Sequence, residues 1–113
     1  MIKIQFNLGM NNNPFNSDSA ASLIKATFPT IFNSSAVETR MDASVFEGNY
    51  EPTLVGRFYV EDASQVRRLF QLMSELFTQQ CIAVKIDDDG YLEYDRRWTG
   101  ERYEFDEQYF INY

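Results

Sequence analysis

Carboxylates and aromatic rings are concentrated in the last quarter of the chain, residues 86–113. This stretch holds nine carboxylates and three arginines, so it carries a balance of −6 in a chain whose net charge is −7. It also holds one tryptophan, five tyrosines and two phenylalanines. Carboxylates pair with guanidinium and ammonium groups, and arginine stacks on aromatic rings. The pattern therefore predicts a surface that docks on a basic partner.

The candidate partner-binding residues are the nine carboxylates and the tryptophan. Carboxylates spaced along a turn and its strands can imitate backbone phosphates, while tryptophan supplies the large contact area found at interface hot spots. The segment from Asp87 to Asp95, with Trp98 beside it, is the primary predicted site, and the tail after it is secondary. The full set is Asp87, Asp88, Asp89, Glu93, Asp95, Trp98, Glu101, Glu104, Asp106 and Glu107.

The common catalytic motifs are absent from this sequence. The chain has no histidine, which excludes Ser-His-Asp and Cys-His arrangements and the usual zinc sites. It has no G-x-x-x-x-G-K-[ST] or G-x-G-x-x-G phosphate loop and no G-x-S-x-G elbow. We therefore expect a protein that is not an enzyme and needs no cofactor. A small enzyme that uses carboxylates, with a divalent metal, is the catalytic alternative.

Two features could suggest a reactive or metal-binding residue. Aligning Gly90 with the glycine of an EF-hand loop puts Lys85 at the first ligand position and Arg96 at the twelfth, where a glutamate is needed. The run Asp87–Asp89 is therefore expected to form a solvated hairpin turn, although weak binding of a divalent ion there stays open. Cys81 begins an apolar segment with no histidine to activate it, so a buried structural cysteine is predicted.

Length and composition set further limits. A chain of 113 residues is expected to form a single domain, residues 1–113. Its pI of about 4.4 argues against direct binding to nucleic acid or an anionic membrane, because phosphate contacts need clustered Lys and Arg. One cysteine allows no internal disulfide, and the alternating N-terminus does not match a signal peptide. These features predict a cytoplasmic protein.

Alternating and apolar segments predict five strands. Strict alternation over residues 2–8 and 37–45 is typical of half-buried strands. Residues 53–60 are more apolar and so are expected nearer the centre of a sheet, with Pro52 tolerated at the strand's start. Residues 81–86 and 91–94 flank a turn, and residues 103–111 form a sixth short strand or an aromatic tail packed on the sheet.

Two helices are predicted between these strands. Ser17 or Asp18 can cap the first helix, and Pro29 is expected to end it because proline disfavours helical geometry in the preceding residue. The second helix starts near Asp62, which with Gln65 resembles a capping box. The apolar positions of the two helices recur every three or four residues: Ala20, Leu23, Ile24 and Phe28, then Val66, Leu69, Phe70, Met73, Leu76 and Phe77.

The order β-α-β-β-α-β-β plus a tail predicts an α+β fold. Two helices on one face of a mostly antiparallel sheet bury the apolar faces economically. The first six elements match the ferredoxin-like, split β-α-β arrangement, to which a C-terminal hairpin and tail are added.

Three short motifs resemble those of small acidic proteins encoded by phages and other mobile elements. They are Glu51-Pro52-Thr53-Leu54-Val55, Gln80-Cys81-Ile82-Ala83-Val84 and Gly90-Tyr91-Leu92, and the resemblance spans residues 47–94. Such proteins are often inhibitors of host defence, of anti-CRISPR or anti-restriction type. The resemblance implies an inhibitor acting in the host cytoplasm and brings no catalytic residue with it.

These observations leave two expectations about partners. The first is an acidic, DNA-mimicking inhibitor that occupies a basic nucleic-acid-binding surface of a defence complex, with no direct contact to nucleic acid. The alternative is a self-associating structural or regulatory module, in which the aromatic tail packs against a twin subunit and the charge keeps the dimer in solution.

Overall fold

A computed structural model describes residues 1–10, 16–46, 49–66, 81–87, 90–95, 101–102 and 110–113. For residues 44–46, 49, 81, 90–95 and 101–102 it describes the backbone only. Six strands and one complete helix lie within these ranges: β1 Ile2–Gly9, α1 Ser17–Phe32, β2 Glu38–Phe46, β3 Asn49–Val60, β4 Cys81–Ile86, β5 Gly90–Asp95 and β6 Glu101–Arg102.

The strands form one sheet in the order β2-β3-β1-β4-β5-β6. Every neighbouring pair is antiparallel. β3 lies between β1 and β2, and β1 lies between β3 and β4, which is the split β-α-β arrangement. β5 and β6 then extend the sheet beyond β4. The predicted α+β, ferredoxin-like class with an added C-terminal hairpin is confirmed.

The alternation in β1 separates the two faces of the sheet. Ile4, Phe6 and Leu8 are buried on the helix-covered face, and the register aligns Ile4 with Phe58 and Ile86 on the neighbouring strands. Gln5 and Asn7 point to the opposite face, because successive side chains of a strand alternate.

Four phenylalanines form the centre of the core between α1 and the sheet. The ring of Phe28 packs edge-on against Phe6, Phe32 and Phe58 at centroid distances of 6.2, 5.1 and 5.4 Å, an arrangement that aromatic quadrupoles favour. The ring of Phe6 lies over Gly56, where an added Cβ would be 2.1 Å from Phe6 Cζ. A side chain at position 56 would therefore collide with the core.

The N-cap of helix α1 lies one residue before the first of the two predicted caps. Asn16 is the N-cap, and its Oδ1 accepts the backbone N–H of Ser19 at 2.8 Å. The prediction of Ser17 or Asp18 was therefore wrong, since Asn16 already satisfies a free amide of the first turn. The predicted face is confirmed in the burial of Ala20, Ile24 and Phe28, with Leu23 packed against the same core.

The predicted end of α1 at Pro29 was also wrong. Pro29 lies inside the helix, which continues to Phe32 and ends at Asn33, where φ is 50°. The Pro29 carbonyl accepts N–H groups from Asn33 and Ser34. The additional turn buries Phe32, a gain that outweighs the local preference of the residue before proline.

Strand β3 starts earlier than predicted, so Pro52 lies within it rather than at its start. Pro52 is paired with Ala43 on β2, and its carbonyl accepts the N–H of Met10 at 2.8 Å on the other side. The missing proline N–H is therefore not required for the β2–β3 ladder. Residues 47–48, between β2 and β3, lie outside the described residues.

The start of the second helix is described at residues 64–66. Asp62 Oδ1 accepts the N–H of Ser64 at 2.9 Å, and Asp62 Oδ2 accepts its hydroxyl at 3.0 Å. The helix therefore starts near Asp62, as predicted, and the Asp62 carboxylate is bonded to Ser64. Ala63 and Val66 are buried in the same core as α1, so both helices start on one face of the sheet.

Candidate functional site

The predicted acidic residues that the structure describes lie on the β4–β6 side of the sheet. Asp87 follows β4 directly, Glu93 and Asp95 are in β5, and Glu101 is in β6. We call these four residues the acidic end. The other predicted residues lie outside the described ranges: Asp88, Asp89, Trp98, Glu104, Asp106 and Glu107.

Strand register brings three of the four acidic residues close together along the backbone. Glu93 is paired with Arg102, and Tyr94 with Glu101, on the neighbouring strands β5 and β6. Glu101 is therefore across from a residue flanked by Glu93 and Asp95. Because adjacent strands are about 4.8 Å apart and successive residues alternate between faces, these acidic positions are backbone neighbours, with Glu93 and Asp95 on one face of the sheet and Glu101 on the other.

Asp87 has a structural contact as well as an exposed position. Its Oδ2 accepts the backbone N–H of Lys3 at 2.7 Å, across 84 residues of sequence. This bond joins the end of β4 to the start of β1. A substitution of Asp87 therefore needs a side chain that still accepts a hydrogen bond.

The sheet face opposite the helices is crossed by residues 110–113, which we call the C-terminal strap. Asn7 Nδ2 donates to the Ile111 carbonyl at 2.9 Å, and Asn7 Oδ1 accepts the Ile111 N–H at 2.9 Å. Gln5 Oε1 accepts the N–H of Tyr113 at 2.8 Å. Both amide side chains are buried, so the strap satisfies polar groups that burial would otherwise leave costly. The predicted packing of an aromatic tail on the sheet is confirmed for these four residues.

Arginines from two strands complete the attachment of the strap. The guanidinium of Arg57 lies 4.4 Å from the ring centroid of Tyr113, and that of Arg40 lies 5.7 Å from it. Arg40 also donates to the Asn112 carbonyl at 2.7 Å. A guanidinium over a tyrosine ring is attracted by the ring's negative face. The strap is therefore held by hydrogen bonds along its backbone and by cation–π contacts at Tyr113.

The same arginines are paired with carboxylates on β2. Arg57 bonds Glu38 at 2.7 Å, and Arg40 bonds Asp42. The hydrogen bond from Arg40 lowers the pKa of Asp42, and the hydrogen bond to Glu38 raises the pKa of Arg57. Negative charge on β2 is thus neutralised locally.

Sequence reasoning predicted an aromatic tail packed on the sheet but did not identify the amides and arginines that attach it. The available signal was the pair of amides Gln5 and Asn7 on the polar side of β1, because buried amides must find hydrogen-bond partners. Nothing local indicated that the partner would be the backbone at residues 111–113.

A shallow pocket of about 180 Å³ lies where α1 ends and the second helix starts. It is lined by Ile31, Phe32, Asn33, Asp62 and Gln65. The Asp62 carboxylate in this lining already accepts two hydrogen bonds from Ser64. These bonds lower the pKa of Asp62. The charged group of this pocket therefore serves the helix start.

Metal and membrane signals are absent from the part of the chain that the structure describes. No group of three or more carboxylate or cysteine side chains there is placed to hold a metal ion. None of the helical residues described forms a segment long and apolar enough to cross a membrane. The side chains of Asp88, Asp89 and Cys81 lie outside these findings, so the expectations for that turn and for the cysteine stay predictions.

Comparisons with known proteins give a likeness of fold. No family model matches the sequence, and no curated protein matches it. Among solved structures, a phage SAM lyase in complex with S-methyl-5'-thioadenosine is similar, with a TM-score of 0.57 and 13% sequence identity. The match covers 87% of this chain and 92% of that chain. A phage protein therefore shares this architecture, and at this identity the likeness shows the fold alone.

Proposed function

We propose that this protein is a small non-catalytic binding protein whose acidic end occupies a basic, nucleic-acid-binding surface of a host defence complex. The observation that carries the proposal is the register of β5 and β6, which makes Glu93, Asp95 and Glu101 neighbours along the backbone. Asp87 lies on the same side of the sheet, at the turn end of the β4–β5 pair. Carboxylate positions on adjacent strands offer a partner several negative charges on this side of the sheet.

The distribution of charge supports a docking role for this end. On β2, Glu38 and Asp42 are each paired with an arginine. Residues 86–113 instead have nine carboxylates and three arginines. A concentrated negative field speeds association with a basic surface and weakens with salt. It disfavours nucleic acid itself as the partner.

The kind of partner follows from this chemistry and from the fold. A surface that binds nucleic acid presents clustered Lys and Arg, which a set of carboxylates can occupy in place of phosphates. The structural neighbour is a phage protein, which supports a phage-type inhibitor of anti-CRISPR or anti-restriction character working in the host cytoplasm. In this role the protein needs no cofactor.

The test compares two variants of equal net charge. The first carries Asp87→Asn, Asp88→Asn, Asp89→Asn, Glu93→Gln and Asp95→Asn, in which the amide at position 87 can still accept from Lys3. The matched control carries Asp18→Asn, Glu47→Gln, Glu51→Gln, Glu61→Gln and Glu75→Gln. Each is used to capture proteins from a bacterial host lysate at low and high salt, with duplex DNA added as competitor.

The expected result is a basic nucleic-acid-binding protein retained by the wild type and the control, lost by the first variant, and released by salt and by DNA. Equal capture by both variants would show that the position of the carboxylates is irrelevant. Loss by both would show that only total charge matters. Either result overturns the proposal.

A second candidate function is lyase activity on S-adenosylmethionine, favoured by the fold shared with a phage SAM lyase in complex with S-methyl-5'-thioadenosine. The purified protein would be incubated with S-adenosylmethionine and the mixture separated by chromatography. Release of S-methyl-5'-thioadenosine above a heat-denatured control would support this candidate over the binding role. Absence of the product at high protein concentration would remove it.

A further inference from the structure

Strand β2 is a long edge strand of the sheet that the structure describes. It is first in the strand order and has nine residues. Its pairing with β3 runs without interruption from Glu38↔Arg57 to Phe46↔Asn49, so it contains no bulge. Edge strands expose unpaired N–H and C=O groups, and bulges, prolines and short length are among the usual protections against pairing with another chain.

Two contacts show which β2 residues direct their backbone groups outward. The Pro52 carbonyl accepts from Met10, so it points away from its partner Ala43. The Ala43 N–H bonds the carboxylate of Asp42 at 2.7 Å rather than β3. Because backbone groups alternate in direction along an antiparallel strand, Thr39, Met41 and Ala43 present theirs to the outer edge.

We propose that two copies of this chain associate by antiparallel pairing of β2 with β2 about a two-fold axis at Met41. In this register Met41 meets Met41 of the partner subunit, and Thr39 meets Ala43 of the partner subunit. Arg40 then lies across from Asp42 of the partner subunit, twice over. A two-fold interface must be self-complementary, and this one pairs opposite charges.

Charge selects this register over its neighbours. A two-fold axis at Arg40 or at Asp42 would place like charges directly opposite, which destabilises a strand pair. The axis at Met41 avoids that clash and uses the outward-directed residues. Met41 is 44% exposed and lies on the sheet face opposite that of Arg40 and Asp42. Pairing therefore also covers an apolar side chain on that face.

The acidic end does not oppose this association. β5 is four strand spacings from β2, roughly 19 Å at about 4.8 Å each, which exceeds the Debye length of about 8 Å at physiological salt. The two acidic ends would lie at the outer limits of the joined sheet. The inference is independent of the proposed function, because a dimer could form whatever the acidic end binds.

Pairing of β2 with β2 requires hydrogen bonds within the single chain to be exchanged, which limits the affinity of the dimer. In the single chain, Asp42 accepts both from Arg40 and from the N–H of Ala43. Both bonds must be exchanged for contacts with the partner subunit. A single pair of strands also buries less area than a standard interface. We therefore expect a reversible dimer with a Kd in the range of roughly 10 to 100 µM.

The experiment uses two charge variants that cannot pair with themselves. Asp42→Arg makes positions 40 and 42 both basic, and Arg40→Asp makes both acidic. Each variant alone should dimerise at least about tenfold more weakly than the wild type in sedimentation equilibrium, because like charges face each other. An equimolar mixture should recover a heterodimer, since the opposite charges then meet between chains.

Each variant has also lost the ion pair within its own strand, and mixing does not restore that pair. Recovery of a dimer in the mixture therefore reports the contact between chains alone. Asp18→Arg and Lys25→Asp, at exposed helix positions, change charge by the same amounts and should leave the dimer unaltered. Ala43→Pro removes an outward N–H without disturbing β3, and should give a folded monomer.

A monomeric wild type at about 1 mM, well above the expected Kd, would overturn the inference. So would a mixture of the two charge variants that stays monomeric, or dimerisation by Ala43→Pro equal to that of the wild type. Capture experiments on the acidic end can fail or succeed separately from all three results.

Discussion

The side-chain amide of Asn7 forms two hydrogen bonds with the backbone of Ile111: it donates to the carbonyl and accepts from the N–H, each at 2.9 Å. An amide that bonds both the N–H and the C=O of one residue replaces the two hydrogen bonds that a neighbouring strand would make with it. Residues 104 apart in sequence are thereby fixed together, and the strap becomes part of the sheet's polar face.

Asn7→Asp tests this contact with almost no change in shape. At neutral pH the carboxylate still accepts from Ile111 N–H but turns a lone pair toward the Ile111 carbonyl, so the protein should lose about 1–3 kcal/mol in urea unfolding. The unfavourable contact raises the pKa of the new carboxyl group in the folded protein, so the loss should shrink as pH falls toward about 4, the ordinary value of the unfolded chain, because the protonated group can donate. Asn112→Asp, the same change at an exposed strap residue, should have little effect. Similar losses in both variants would contradict the account.

Gly56→Ala tests the packing beneath Phe6. The new Cβ would lie far inside contact distance of the ring, so Phe6 must move and the protein should lose about 1–3 kcal/mol or more. Adding Phe6→Leu to Gly56→Ala should cost less than the sum of the two single changes, because the smaller side chain relieves the collision. Urea unfolding of the three variants measures this coupling, and strict additivity would show that the ring is not the obstacle.

Asp62 supplies a pH dependence at the start of the second helix. Hydrogen bonds from Ser64 lower its pKa below the ordinary value of 3.8. Its stabilising contribution is therefore present above pH 3.8 and is lost as pH falls through the lowered folded-state value. Asp62→Ala should lower Tm by roughly 4–8 °C at pH 7, with a smaller difference from the wild type in acid. Asp62→Asn keeps an acceptor but loses the charge, so its Tm at pH 7 should lie between those of the wild type and Asp62→Ala. A Tm deficit of Asp62→Ala that is independent of pH would contradict the role of the charge.

The sequence predicted the sheet and its buried face because those depend on local pattern. Alternation placed Ile4 and Phe6 on one side of β1, and periodicity placed Ala20, Ile24 and Phe28 on one side of α1. The end of α1 was mispredicted because burial of Phe32 is a tertiary gain that no local rule at Pro29 contains. The predicted boundaries of elements were wrong where tertiary packing outweighed the local conformational preference of the residues.

The acidic composition of the site could be predicted from the sequence, but the spatial arrangement of its residues could not. Nine carboxylates in residues 86–113 are visible in the sequence, but the adjacency of Glu93, Asp95 and Glu101 depends on the β5–β6 register. The Lys3–Asp87 bond and the strap depend on contacts across 84 and 104 residues. Such distant pairings leave no local period in the sequence.

Tyr113 tests whether the strap stabilises the fold separately from the acidic end. Its ring lies 4.4 Å from the Arg57 guanidinium, and Arg57 is bonded to Glu38 on the neighbouring strand. Tyr113→Ala removes the ring and should lower Tm by roughly 2–4 °C, while Tyr113→Phe keeps the cation–π contact and should stay close to the wild type. Because the strap crosses the face opposite the helices and the acidic end lies on the β4–β6 side of the sheet, neither variant should change the salt dependence of partner capture. A change in that dependence with Tyr113→Ala would mean that the strap and the acidic end form one binding surface.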